Sequence, residues 1–224
     1  MSQANNLGMG TGIYTVSEIS KILRLPYFKV NRWLNKYWDG QIGKIFDKRY
    51  STDIDNSKAV SFYTLVEFYV VYQLLNSGVK LNHIIRARIE LTKKIKSDYP
   101  FAQKTIIENL RTDGNRVYFN LGDHDILSLD GTKQLNISFI ENFYVNLDFD
   151  HELMATKFWP LGKDKNIIVD PARQFGHPVI DKTNIYPETL FNLYKGGEEI
   201  KFIAYMYDIN EKDVNDAVEY CLAA

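Results

Sequence analysis

The fold is decided by residues 14–38, which read YTVSEISKILRLPYFKVNRWLNKYW. Thr15 and Glu18 have the spacing of a capping box, so we expect a helix to begin here. This helix ends before Pro26, because the residue that precedes a proline is pushed out of the helical region. A second helix is then expected from Pro26 to Trp38. The stretch therefore predicts two short helices joined by a tight turn.

The second predicted helix has an apolar side and a basic side. Helical spacing places the apolar side chains together, and these are Val30, Trp33, Leu34 and Tyr37. Lys29, Arg32 and Lys36 then lie on the opposite side. In a helix-turn-helix the second helix enters the major groove of DNA, so a basic outer face here indicates DNA binding. The alternative is an ordinary solvated helix face.

Side chains on both helices are candidates for contacts with DNA. Arginine can pair with guanine and asparagine with adenine, while lysines and hydroxyl groups bind phosphates. The residues predicted to contact DNA here are Ser17, Tyr27, Lys29, Asn31, Arg32 and Lys36. Residues 39–61 are rich in turns, with β-prone pieces at 42–46 and 59–62, and this pattern indicates a wing. The basic residues of this wing are predicted to contact DNA too, unless they are ordinary surface charge: Lys44, Lys48 and Arg49.

Charge is distributed unevenly along the chain, although the formal net charge is only −1. Residues 1–96 contain 15 Lys and Arg against 7 Asp and Glu. Residues 97–224 contain 12 basic against 21 acidic residues. Such a split indicates a half that binds a polyanion, joined to an acidic half with a different partner.

Hydrophobic patterns and turn residues divide the rest of the chain. Helices are predicted at 62–76, 81–96, 187–195, 198–207 and 211–222. Short β-like runs predict an antiparallel meander over 104–110, 116–121 and 126–129. Residues 137–147 fit either a helix or a strand, and residues 167–170 are expected to be extended.

We therefore expect an α+β fold that is mainly α. Its predicted parts are a disordered tail at 1–12, a winged helix-turn-helix at 13–97, a middle α+β region at 98–160 and a C-terminal three-helix domain at 161–224. The middle region is expected to contain the β meander.

Two sets of motifs resemble known families. The pattern YTxxEISxxLxLPxxxVxRWL at residues 14–34 resembles the MerR-like helix-turn-helix of bacterial regulators, and FxxLxE at 62–67 and GVxLxxI at 78–84 resemble the helices that follow its wing. VDP at 169–171, FGHPVI at 175–180 and GGE at 196–198 resemble the small C-terminal domain of VapB-type antitoxins. Asn31 departs from the MerR-like pattern, where a basic residue is common, so no base preference is carried over.

The resemblance implies a function with two partners. VapB-type antitoxins usually neighbour a ribonuclease toxin of the PIN fold. The chain is thus expected to bind its operator, a double-stranded DNA, through the N-terminal half, and to neutralise a PIN-like ribonuclease toxin through the acidic half. A homodimer is also expected, because operators mirror two-fold protein symmetry and because the apolar stripe of residues 81–95 needs a partner.

Aromatic residues in the C-terminal part exceed what a domain of roughly 60 residues comfortably buries. Some of them are therefore expected to contact the toxin: Tyr186, Phe191, Tyr194, Phe202 and Tyr205. The alternative, equally weighted, is that they fill a small core shared with the β region.

Two other functions are open. One is a stand-alone MerR-like transcriptional regulator without a toxin, whose C-terminal half senses a ligand or only dimerises. The other is a metal-dependent nuclease that uses Asp148, Asp150, His151 and Glu152. The second is disfavoured, because no further carboxylate stands at a recognisable spacing.

Composition excludes several classes of site. The single cysteine, Cys221, rules out an intramolecular disulfide and a cysteine-rich zinc site. No run of about twenty apolar residues predicts a membrane span, and the N-terminus lacks the order of a signal peptide. We therefore expect a cytoplasmic protein that is not an enzyme and needs neither metal nor cofactor.

Overall fold

The computed structural model describes residues 12–55, 57–112, 117–120, 126–128 and 145–223, and it is an α+β structure that is mainly helical, with antiparallel sheets. Apart from Gly12, the predicted tail lies outside these described residues. The turns of the predicted meander at 113–116 and 121–125 lie outside them too, as does residue range 137–144 of the segment that was open between helix and strand.

The N-terminal part begins with strand β1 (Tyr14–Thr15) and helix α1 (Val16–Leu23). The capping box is confirmed: the Glu18 backbone N–H donates to Thr15 Oγ1 at 3.2 Å, and the Thr15 backbone N–H donates to Glu18 Oε2 at 2.7 Å. After a turn, helix α2 (Tyr27–Arg32) continues without a break as a π-helical segment (Trp33–Ile42) and helix α3 (Gly43–Phe46).

The β-prone piece predicted at 42–46 is therefore wrong, because these residues are helical. Val30, Leu34, Trp38 and Ile42 recur every fourth residue and are all fully buried, so one continuous helical stripe packs on the core. Gly43 follows this stripe at a point where the backbone of Lys48 comes close. An added Cβ would lie 2.5 Å from the Lys48 backbone oxygen, so a side chain does not fit here.

The hairpin of the N-terminal part lies further along the chain than predicted. Strands β2 (Ser51–Ile54) and β3 (Ser57–Val60) pair antiparallel, and β1 joins the other edge of β3 in the order β1-β3-β2. Helices α4 (Phe62–Asn76) and α5 (Leu81–Ile95) follow and confirm the two predicted apolar helices.

The apolar stripe of α5 is covered within the chain. Ile84 and Leu91 are fully buried and Ile85 is 1% exposed, while Leu81 and Ile95 pack partly buried against the same core. This stripe consequently offers no free surface for a second copy. The expectation from the sequence that the stripe needs a partner in a homodimer is therefore wrong.

A 3-10 turn (Pro100–Ala102) and helix α6 (Lys104–Asn109) open the middle region. The strand predicted at 104–110 is thus wrong over most of its length. Consecutive residues Ile106 and Ile107 are both buried, which a half-exposed strand would not allow. Strands β4 (Leu110–Thr112), β5 (Val117–Asn120) and β6 (Ile126–Ser128) then form an antiparallel sheet in the order β4-β5-β6, as the predicted meander requires.

A four-stranded antiparallel sheet leads into the C-terminal helices. Its strands are β7 (Leu147–Phe149), β8 (Ala155–Phe158), β9 (Ile167–Val169) and β10 (Pro178–Ile180), in the order β10-β9-β8-β7. The helices are α7 (Pro187–Lys195), α8 (Ile200–Tyr207) and α9 (Glu211–Leu222). These helices confirm the three predicted near the C-terminus, with α8 beginning two residues later.

Two hydrophobic clusters meet at strand β9. The large cluster runs from Tyr14 to Val169 and contains α1, α4 and α5, whereas the small cluster contains Ile167 and the buried faces of α7, α8 and α9. Ile167 and Val169, two residues apart in one strand, thus belong to different cores. The C-terminal part also contacts the N-terminus directly, since the Ile13 backbone N–H donates to the Phe175 backbone oxygen at 3.3 Å.

A buried ion pair fixes the π-helical segment against α4 and α5. Glu67 and Arg88 are both fully buried, and Arg88 Nη2 lies 2.8 Å from Glu67 Oε2. Trp38 Nε1 donates to the same carboxylate at 2.8 Å, and Arg88 Nη2 also donates to the Asp98 backbone oxygen at 2.7 Å. The Arg88 guanidinium lies 4.9 Å from the centroid of the Tyr50 ring. This network positions the helical segment that carries the candidate site.

Candidate nucleic-acid interface

Helix α2 has one buried face and one face that is exposed to solvent. Val30 and the start of the π-helical segment pack on the core, so the first turn of α2 projects outward. Tyr27 is 56% exposed and Phe28 is 73% exposed. Asn31 and Arg32 lie one turn later on the same face, and Arg32 is exposed.

A chain of hydrogen bonds ties this face to the hairpin. Asn35 Nδ2 donates to the backbone oxygen of Asn31 at 2.9 Å and to its Oδ1 at 2.7 Å. Lys58 Nζ, from strand β3, donates to Asn35 Oδ1 at 2.6 Å and to Asp39 Oδ2 at 3.1 Å. Asp39 in turn accepts the Ser51 hydroxyl at 2.6 Å. Helix and hairpin therefore hold one another in a defined arrangement.

Asn31 keeps hydrogen-bonding capacity for a further partner. Its Oδ1 accepts one hydrogen bond, from Asn35 Nδ2, and an amide oxygen has two lone pairs. Its NH2 group is a donor as well.

Three predicted cations on this side are exposed. Arg32, Lys36 and Lys44 form no ion pair with any carboxylate in the part of the chain that the structure describes. Lys36 Nζ lies 5.4 Å from the centroid of the Tyr37 ring. Lys29 is partly buried, with Nζ 5.4 Å from the Trp33 ring. The exposed cations are free to bind phosphates.

The basic residues assigned to a wing lie elsewhere. Lys44 is on α3, and Lys48 and Arg49 precede β2, while Asp53 and Asp55 occupy the end of the hairpin. A hairpin that ends in carboxylates is a poor partner for phosphates, so any contribution of the hairpin must come from another part of it.

Lys48 and Arg49 are both engaged within the chain. Lys48 pairs with Asp98, and its Nζ lies 5.0 Å from the Tyr99 ring centroid. Arg49 Nη2 lies 2.6 Å from Asp53 Oδ1, and this hydrogen bond raises the pKa of Arg49 and lowers the pKa of Asp53. The Arg49 pair is exposed and can exchange for a phosphate at little cost, whereas Lys48 is largely covered.

The candidate interface also includes Ser17 and three residues that were not predicted. Ser17 is exposed in the first turn of α1. Sequence reasoning missed Phe28, Asn35 and Lys58. The spacing of Phe28, four residues before Arg32, was the available signal for the first, whereas the other two are recognised only from the contact between helix and hairpin.

The aromatic residues predicted to bind a toxin divide into two groups. Tyr186 and Phe191 are partly buried, and the Tyr186 hydroxyl donates to Gln174 Oε1 at 2.8 Å. The exposed fractions of the other three are 41% for Tyr194, 49% for Phe202 and 84% for Tyr205. Met206, which was not predicted, is 46% exposed and shares the outer face of α8 with Phe202 and Tyr205.

The acidic residues considered for a metal have structural partners. Asp148 Oδ1 lies 2.6 Å from Lys163 Nζ, and Asp150 Oδ1 accepts the Met154 backbone N–H at 2.8 Å. Burial would raise the pKa of Asp148, but hydrogen bonds from Lys163 and Trp159 outweigh it and lower this pKa. Within the described ranges, no group of three or more His, Cys, Asp or Glu side chains could hold a metal ion.

Cys221 packs, partly buried, against the small hydrophobic cluster. Burial, helped by the charge of Glu188, raises the pKa of its thiol to about 12. The side chain is therefore a protonated thiol at neutral pH and a poor nucleophile.

No helix among the described residues is long and apolar enough to span a membrane.

One family model matches the C-terminal part of the chain. Residues 167–221, which include β9, β10 and the last three helices, match a family described as a protein of unknown function, DUF433. This match covers about a quarter of the chain.

Individual relatives cover nearly the whole chain. It is 22% identical to "Putative antitoxin VapB45" of Mycobacterium tuberculosis, over 92% of both chains. It is 24% identical to "Uncharacterized protein Rv2308" of the same organism, over 93% of this chain and 89% of that one. The crystal structure of Rv2018 from M. tuberculosis has the same fold, with a TM-score of 0.67, 17% identity and coverage of 92% of this chain and 96% of that one. The chain is thus similar along most of its length to a protein named as an antitoxin.

Proposed function

We propose that the protein is the DNA-binding antitoxin of a toxin–antitoxin pair, and that it binds the operator of its own operon. The observation that carries DNA binding is the exposed face of α2 and its continuation, where Arg32, Lys36 and Lys44 have no carboxylate partner among the described residues. Such cations are available to neutralise phosphates. Similarity to a protein named as an antitoxin supports the other half of the proposal.

In this proposal α1, the turn before Pro26 and α2 act as a MerR-like winged helix-turn-helix. Helix α2 enters the major groove, where Tyr27 and Asn31 face the bases and Arg32 binds a phosphate. The hairpin β2–β3 is the wing and is held against the helix through Lys58. Two copies bind together, because an operator with two half-sites mirrors a two-fold dimer. The dimer interface lies outside the covered stripe of α5.

The toxin is proposed to be a PIN-like ribonuclease that binds the outer face of α8. Phe202 and Tyr205 are exposed there beside Met206, and Tyr194 of α7 is exposed as well. Large exposed aromatic side chains are typical anchors of protein interfaces. The excess of acidic residues after residue 96 complements a basic RNA-binding surface. We assign no catalytic activity and no metal or cofactor to the protein itself.

DNA binding is tested with the full chain and a labelled duplex that carries the region directly upstream of its gene. We expect a steep linear fall of log K with log salt. Arg32→Ala should reduce the magnitude of that slope by about 0.9, the contribution of one phosphate. The control Lys201→Ala removes an exposed lysine of α8 and should leave the slope unchanged. Failure of the folded chain to retain any duplex at low salt would refute DNA binding.

Toxin binding is tested by co-purifying the tagged chain with the product of the adjacent gene. We expect a stable complex that suppresses the RNA cleavage of that product. Tyr205→Asp should weaken the complex at least tenfold, because it places a carboxylate in an apolar contact. Glu211→Gln, an exposed change at the start of α9, serves as the control. If the full chain binds no neighbouring protein, a stand-alone MerR-like regulator takes the place of the antitoxin.

A further inference from the structure

The phenyl ring of Phe28 is an apolar group that the fold holds in solvent. It lies in the first turn of α2 and is 73% exposed, more than any other aromatic side chain described in residues 12–109. It cannot turn into the core, because Val30 and Leu34 occupy the buried face of this helix and are fully buried themselves. An exposed phenylalanine on a rigid helix face needs an external partner to become buried.

The surroundings of Phe28 select the class of partner. Arg32 lies one turn further along the same face, and Asn31 lies beside it. Arg32 and the nearby Lys36 have no carboxylate partner among the described residues. An apolar protein surface would have to desolvate these charges without compensation. Duplex DNA instead supplies phosphates for the cations and an apolar group in its major groove, the C5 methyl of thymine.

We infer that Phe28 contacts a thymine methyl group in the major groove and thereby helps to determine which DNA sequence the protein binds. This inference rests on the proposed DNA binding. Phe28 precedes Arg32 by four residues, about 6 Å along the helix axis. Base pairs are spaced about 3.4 Å apart, so the thymine lies within about two base pairs of the position that Arg32 contacts.

The first step of the test finds the DNA without assuming its sequence. The full chain is used to enrich a pool of random-sequence duplexes, and the bound sequences are determined. Each thymine of the enriched site is then replaced in turn by deoxyuridine, which lacks only the C5 methyl group. We expect one replacement in each half-site to weaken binding about fourfold, the effect of losing one buried methyl group.

The second step assigns this effect to Phe28. Phe28→Ala should bind the thymine site as weakly as it binds the uridine site, so that the fourfold difference disappears. Phe28→Leu, which keeps an apolar side chain, should retain part of the difference. Phe175→Ala removes a comparably exposed phenylalanine, 78% exposed, from the C-terminal part and should retain all of it. Circular dichroism of each variant confirms that it is folded.

The outcomes separate this inference from the proposed function. If the wild-type chain enriches no sequence and retains no duplex, DNA binding itself fails. If it binds DNA but no thymine is sensitive to uridine, or if Phe28→Ala keeps the full sensitivity, then the role of Phe28 is overturned while DNA binding stands.

Discussion

At the scale of single residues, the buried pair of Glu67 and Arg88 organises the site from below. The Glu67 carboxylate receives N–H groups from Arg88 and Trp38, and the Phe101 backbone N–H lies 3.4 Å from its second oxygen. Burial raises the pKa of the adjacent Tyr50 to about 12, so its hydroxyl stays neutral. The carboxylate therefore connects four separate parts of the chain.

Glu67→Ala should be among the most destabilising single changes in the protein. It leaves the Arg88 guanidinium buried without its partner, for which we expect a loss of roughly 3–5 kcal/mol in the free energy of unfolding. Urea unfolding of the full chain measures this loss. Asp53→Ala breaks the exposed pair with Arg49 and is the control, with little change expected. Equal unfolding midpoints for the two variants would contradict a structural role for the buried pair.

At the scale of elements, helix α1 depends on its first turn. Thr15 Oγ1 accepts the Glu18 N–H, and the Glu18 carboxylate also lies 3.5 Å from His177 Nδ1 of the C-terminal part. Thr15→Val keeps the branched shape and removes the capping oxygen, so we expect a loss of about 1 kcal/mol in stability by thermal unfolding. Thr15→Ser keeps the oxygen and should lose much less. An unchanged melting temperature for Thr15→Val would show that the cap is unimportant.

The accuracy of prediction from sequence also differed between elements. Helices α4, α7 and α9 match their predicted bounds, because apolar spacing defines them and flanking Ser, Pro, Gly or Asn marks most of their ends. Residues 42–46 and 104–109 were mistaken for strands, since short apolar runs do not distinguish a strand from a buried helix. Burial decided these two cases, and burial depends on partners distant in the chain.

At the scale of the whole molecule, the sequence predicted the positive charge of the candidate site but not which of its cations are paired within the chain. The basic face of the second helix followed from helical spacing, and Arg32 and Lys36 are exposed on it. The pairing of Lys48 with Asp98 and the link from Lys58 to Asn35 join residues 50 and 23 positions apart. No local pattern reports such contacts, so the set of available cations emerged only from the assembled fold.

Strand β9 has a consequence for how this architecture can be recombined. Val169 completes the large cluster and Ile167 belongs to the small one, while the segment that matches a family of its own begins at residue 167. The boundary of the matching segment therefore lies inside a strand that both clusters share. A hybrid that grafts residues 167–221 onto a relative would place a residue from this protein in the large core of the recipient. A compatible graft would also include strand β8, so that the paired residues Phe158 and Val169 come from the same protein.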